Sequence, residues 1–128
     1  MYNSMSFAVR SHFMTSRGNH LVEVAKFTIS ILFGTIVVMA FAPKEILNGL
    51  FCVALTSLIV GVCIFGIVAI DGCFQDVKAA INDMTPEEKD TNIGKTSIAV
   101  PFGFYRIIII IFYVSVGGTQ LSILYNYL

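Results

Sequence analysis

Charge is scarce in this chain. Only 12% of its 128 residues are Asp, Glu, Lys or Arg, where a soluble domain carries about 25%. Hydrophobic residues make up 56%, more than a water-soluble core can absorb while still presenting a polar surface. Lipid serves as the solvent for the excess. Neither sign of charge dominates, with eight basic and eight acidic residues, so there is no electropositive field for nucleic acid. Three cysteines, Cys52, Cys63 and Cys73, are odd in number and lack CxxC spacing, and the first two lie inside an apolar run. That argues against a disulfide framework or a zinc site and for small apolar packing residues. His12 and His20 stand eight apart in a basic flank without further ligands nearby, the pattern of solvated or interfacial histidines. No P-loop, GxGxxG or Ser–His–Asp arrangement is present. The adjacent acids Glu87 and Glu88 follow a helix start, where they complement the helix dipole. The chain is therefore read as non-enzymatic and without a cofactor.

Three long apolar runs are what the chain does have. The strongest is residues 46–70, uncharged throughout and closed by Asp71. Residues 107–126 open with five consecutive isoleucines after Arg106. Such a β-branched run favours a strand in water, but in hydrocarbon a helix satisfies its own backbone groups, and helix is the expectation. The first run, 27–42, is short for a span. With Asn19 as the expected N-cap, a helix over 20–42 reaches the roughly 20 residues that a crossing needs. Ala40 and Ala42 flank Phe41 as in a signal-peptide cleavage site, but Pro43 after the cut and the long preceding segment favour an uncleaved anchor. The fold class expected is an all-α integral membrane protein. It has three transmembrane helices, 20–42, 46–70 and 107–126, in a single membrane domain over 1–128.

Pro43, Lys44 and Glu45 form a short connection, which makes the first two spans an antiparallel hairpin. The segment 71–106 is the one sizeable polar connection. Phe74, Val77, Ile81 and Met84 share a helical face there, predicting a short amphipathic helix that faces the membrane surface or the bundle. Thr85, Pro86 and Glu88 have the spacing of a capping box, and residues 91–101 read as loop. Residues 1–19, with Phe7, Phe13 and Met14 near Arg10 and Arg17, read as an amphipathic segment on the membrane surface. Arg10, Arg17, Lys26, Lys78, Lys89, Lys95 and Arg106 all flank one side of a three-span chain, and only Lys44 lies on the other. The positive-inside rule makes the first side cytoplasmic, with the N-terminus in and the C-terminus out. A bacterial inner membrane is the expected location.

Ionisable residues within spans are the default functional hypothesis in a membrane protein, and here they stop at the borders. Asp71 and Arg106, at the ends of spans two and three, are a candidate interfacial ion pair. Small residues four apart let helices approach closely. They occur at Ser30 and Gly34, at Ser57 and Gly61 with Gly66 beyond, and at Gly118 and Ser122 beside Gly117 and Ser115. Ser115, Gly118 and Ser122 are expected to pack within the bundle. Gln120, about 160° from Gly118 at roughly 100° per residue, is expected to look outward to a partner or a second copy. These features suggest a non-catalytic polytopic membrane protein that works through helix–helix interaction with a membrane partner or with itself. An accessory subunit or an immunity or exclusion factor would fit that description. The alternative is a pore-forming or holin-like oligomer.

Overall fold

The computed structural model describes residues 6–43, 45–47 and 49–126. It consists of α1 (Phe7–Phe41), α2 (Gly49–Asn82), α3 (Pro86–Asp90), α4 (Asn92–Ile98) and α5 (Phe102–Asn126), with no strand among the described residues. Three of these helices, α1, α2 and α5, are long and apolar enough to cross a membrane. The isoleucine run lies within α5, as the demand for internal backbone hydrogen bonding in lipid requires.

The first helix starts far earlier than its expected cap. Asn19 lies in the interior of α1, and Ser6 is the N-cap, its hydroxyl accepting from the Val9 amide at 3.4 Å. An Asn costs only a few tenths of a kcal/mol inside a helix. Contacts to α2 on either side of it more than offset that. Of the segment 1–19 expected to lie on the membrane surface, residues 7–19 are instead collinear with the span, and residues 1–5 lie outside the described residues. Arg17 pairs with Asp76 at 3.1 Å, and Arg10 is 3% exposed, tied to Glu88. Ionic partners on neighbouring elements hold these turns where a lipid surface would offer only headgroups.

α1 closes with the Ala42 amide bonded to the Val38 carbonyl at 2.8 Å, and Pro43 disfavours helix at the residue before it. The second helix begins at Gly49 rather than at residue 46. Ile46 donates to the Pro43 carbonyl at 3.0 Å in a turn. Leu47 is buried against Met39, Cys52, Leu55 and Leu124. Gly49 has φ +51°, a left-handed conformation that a glycine adopts without a Cβ clash. Lys44, in this connection, lies outside the described residues, as do Tyr127 and Leu128 at the C-terminal end.

Pairs along the α1–α2 hairpin run in antiparallel order: Arg10 to Asp83, Arg17 to Asp76, Phe27 to Phe65. α5 returns antiparallel to α2, through Arg106 to Asp71, Tyr113 to Gly66 and Gly117 to Cys63. Glu23, Asp71 and Arg106 therefore mark one level across all three helices. From that level to their far ends α1, α2 and α5 run about 27, 33 and 30 Å, at 1.5 Å per residue. A hydrocarbon core is about 30 Å thick.

Beyond that level the first turns of α1 and the last turns of α2 continue as a hairpin stalk, closed by α3 and α4. Ile81 is buried and Phe74 packs against the core, edge-on to Phe102, so the expected amphipathic face turns toward the bundle. Thr85 forms the full capping box with Glu88. Residues 91–101 are not all loop, because Thr91 closes α3 and caps α4, accepting from the Gly94 amide at 3.0 Å. Gly94 is buried where a Cβ would collide with the Glu88 carbonyl. Only a glycine allows two such short helices to fold against each other there.

Candidate functional site

Four polar side chains join α1 to α5 inside the bundle. Thr28 lies against the Tyr113 hydroxyl, and its own hydroxyl also reaches the Val24 carbonyl at 2.9 Å. One turn pair further on, Gln120 closes a two-point clamp. Its Oε1 accepts from Thr35 at 2.6 Å and its Nε2 donates to the Leu32 carbonyl at 3.0 Å. Both helices supply these groups at seven-residue spacing, Thr28 and Thr35 on one and Tyr113 and Gln120 on the other. Two turns of helix nearly restore the same face, so a single seam carries both latches. No buried side-chain nitrogen or oxygen among the described residues lacks a hydrogen-bond partner.

Gln120 is therefore not the outward-facing amide expected from the sequence. It is 2% exposed, because a primary amide facing hydrocarbon would lose hydrogen bonds that Thr35 and Leu32 supply. The rest of α5 turns over with it. Ser115, Gly118 and Ser122 are exposed, and nothing lies within 4 Å of a Cβ placed on Gly118. Tyr113, Gly117, Gln120 and Leu124 face inward. On α2, Ser57 and Gly61 are likewise exposed, and on α1 so are Ser30 and Gly34. Of the small residues noted in the sequence, Gly66 and Gly117 are the ones that permit close packing inside the bundle. A Cβ on Gly66 would meet the Tyr113 ring at 2.5 Å, and one on Gly117 would meet the Cys63 sulfur at 2.7 Å. The Tyr113–Gly117–Gln120–Leu124 spacing and its match to Thr28 and Thr35 were the available signals for this seam.

At the charged end of the three apolar segments the structure brings Asp71 and Arg106 together. Arg106 Nε contacts Asp71 Oδ1, and Nη2 donates to Oδ2 at 3.0 Å. The Gln75 amide donates to the same oxygen at 2.6 Å. In the stalk, Arg10 Nη2 bonds both carboxylate oxygens of Glu88, at 2.8 and 2.7 Å, while Nη1 reaches the Asp83 carbonyl at 2.5 Å. Glu88 also accepts from the Thr85 amide at 2.8 Å, so one carboxylate caps α3 and neutralises a buried cation.

Titratable groups outside the spans are perturbed by local causes. The exposed Glu87 carboxyl is held below its ordinary range, first by its own backbone N–H and then by the Thr85 hydroxyl. Burial pushes the Cys73 thiol up, against a smaller downward pull from Arg17. Neither group faces a nucleophile–base arrangement. Among the described residues no three His, Cys, Asp or Glu side chains gather as metal ligands. His12 and His20 lie along one exposed stretch of α1. No family model, curated protein or solved structure matches the chain.

Proposed function

We propose that this chain is a non-catalytic membrane protein that acts through helix–helix interaction with a membrane partner, as an accessory subunit or an immunity or exclusion factor would. The carrying observation is the outward placement of Ser30 and Gly34, Ser57 and Gly61, and Ser115, Gly118 and Ser122. The bundle uses none of them for its own packing, and small outward residues let a further helix approach closely. In this reading the protein sits in a bacterial inner membrane, and the seven basic residues flanking one side support an orientation with the N-terminus cytoplasmic and the C-terminus outside.

A second reading draws on the same face of α5. Ser115, Thr119 and Ser122 are exposed hydroxyls that would line a polar path in a ring of copies, as a holin-like oligomer requires. Purification in mild detergent with mass determination of the assembly separates the two. A distinct protein held in fixed ratio, and released by Gly61→Leu or Gly118→Leu, is the expected outcome. A homo-oligomer alone would favour the pore, and a bare monomer insensitive to both substitutions would refute both readings. Topology is tested with reporters fused after Leu128 and within residues 85–95, which should report opposite sides. The same side for both means that α5 does not cross.

A further inference from the structure

A groove of about 420 Å³ opens on the bundle surface between α2 and α5, at the level of Asp71 and Arg106. Its floor is apolar, formed by Ile67 and Val68 on α2 and Ile109 and Ile110 on α5. Its polar groups, Asp71, Gln75 and Arg106, are gathered at the rim, beside Phe74. The floor residues lie on the hydrocarbon side of the rim and the polar residues at the border, so the groove is graded along the membrane normal as a phospholipid is.

The hydrogen bonding at the rim sets what it can still bind. The Asp71 carboxylate is occupied by two donors from Arg106 and one from Gln75. A guanidinium carries five N–H donors in a planar fork, and Asp71 engages one at Nε and one at Nη2. The two Nη1 donors and the second Nη2 donor have no partner among the described residues, and the Arg106 side chain is 48% exposed. The ion pair thus fixes the guanidinium in place and leaves one edge for another acceptor. A phosphodiester fits that edge with two parallel charge-assisted hydrogen bonds. The two other arginines on the described elements differ. Arg10 is buried on Glu88, and Arg17 pairs with Asp76 over the Phe13 ring.

We propose that this groove binds one phospholipid, with its phosphodiester on Arg106 and an acyl chain along Val68, Ile109 and Ile110. The proposal rests on the three-helix membrane architecture and not on the partner reading above. A phosphate at the hydrocarbon border and a chain below it come from one molecule. Inorganic phosphate supplies only the first requirement and a neutral diacylglycerol only the second.

Native mass spectrometry of the full chain released from detergent micelles tests this. The probes are dioleoylphosphatidylglycerol, dioleoylglycerol and inorganic phosphate. Wild-type protein is expected to retain one phospholipid, no diacylglycerol, and no phosphate that competes at millimolar concentration. Arg106→Gln made together with Asp71→Asn removes the charged donor without stranding a carboxylate, and should weaken retention about tenfold. Val68→Trp fills the groove from an exposed position, leaves the ion pair intact and should weaken retention at least as much. Helicity by circular dichroism and a monodisperse elution profile qualify each variant. If the double variant does not fold, Val68→Trp decides alone. Undiminished phospholipid binding by either folded variant, equal retention of dioleoylglycerol, or displacement by inorganic phosphate would overturn the proposal.

Discussion

Glycines at 66 and 118 look interchangeable in the sequence, but their surroundings are opposite. A side chain at Gly66 enters the Tyr113 ring, while one at Gly118 meets nothing. Gly66→Val is therefore expected to destabilise the bundle by about 1–3 kcal/mol through overpacking. Gly118→Ala should be neutral or stabilising by up to about 1 kcal/mol, from helix propensity alone. Thermal unfolding in detergent, followed by circular dichroism, ranks the two, and an equal loss at both positions would contradict the placement of α5. Sequence reading alone puts Gly118 inside and Gln120 outside. The residue types were legible, but the angular phase of α5 was not. A water-soluble helix reveals its inner face because its outer face is polar. In lipid both faces are apolar, and only a residue that must find a hydrogen bond, such as Gln120, marks the inside.

The latches between α1 and α5 make an element-scale prediction. Thr35→Val and Gln120→Leu should couple by about 0.6–1.7 kcal/mol in a double-mutant cycle, the range for interhelical hydrogen bonds in membranes. Thr28→Val with Tyr113→Phe should behave similarly. Substitutions taken across the two latches should add within about 0.5 kcal/mol, because two helical turns separate them. Coupling across the latches as strong as within them would mean that the seam shifts as a whole. Among the elements, the three spans and the Thr85 capping box were legible because their signals are local: run length in one case, a three-residue spacing in the other. α4 was not. Asn92, Gly94, Thr96 and Ser97 are poor helix formers, and the helix exists because Thr91 caps it and α3 packs against Gly94.

At the scale of the molecule, charge gathers at one end, and the Arg10–Glu88 pair fastens α1 to the α3–α4 cap across 78 positions of sequence. Glu88→Ala leaves a guanidinium buried without its counterion, at a cost of about 3–5 kcal/mol. The cap is expected to open and the spans to persist. Trypsin should then cut faster after Lys89 and Lys95 while the apolar parts of α1, α2 and α5 remain protected. Asp90→Ala removes only the exposed pair with Lys95 and should change the cutting rate little. Equal rates in both variants would show that the Arg10 contact does not hold the cap. No local signal in the sequence joins residues 10 and 88, because their meeting depends on α1 continuing unbroken past Asn19.

That continuity makes α1 a lever. Its 35 residues contain no proline to kink the rod, and about 24 Å of it stands beyond Glu23 at 1.5 Å per residue. A tilt change of about 10° inside the bilayer swings the Phe7 end sideways by about 4 Å on that arm. Helices tilt to match hydrocarbon thickness, so thinning the membrane is expected to displace the charged cap. Spin labels at Thr15 and Ser115, compared between thin and thick bilayers, would measure how far the lever travels.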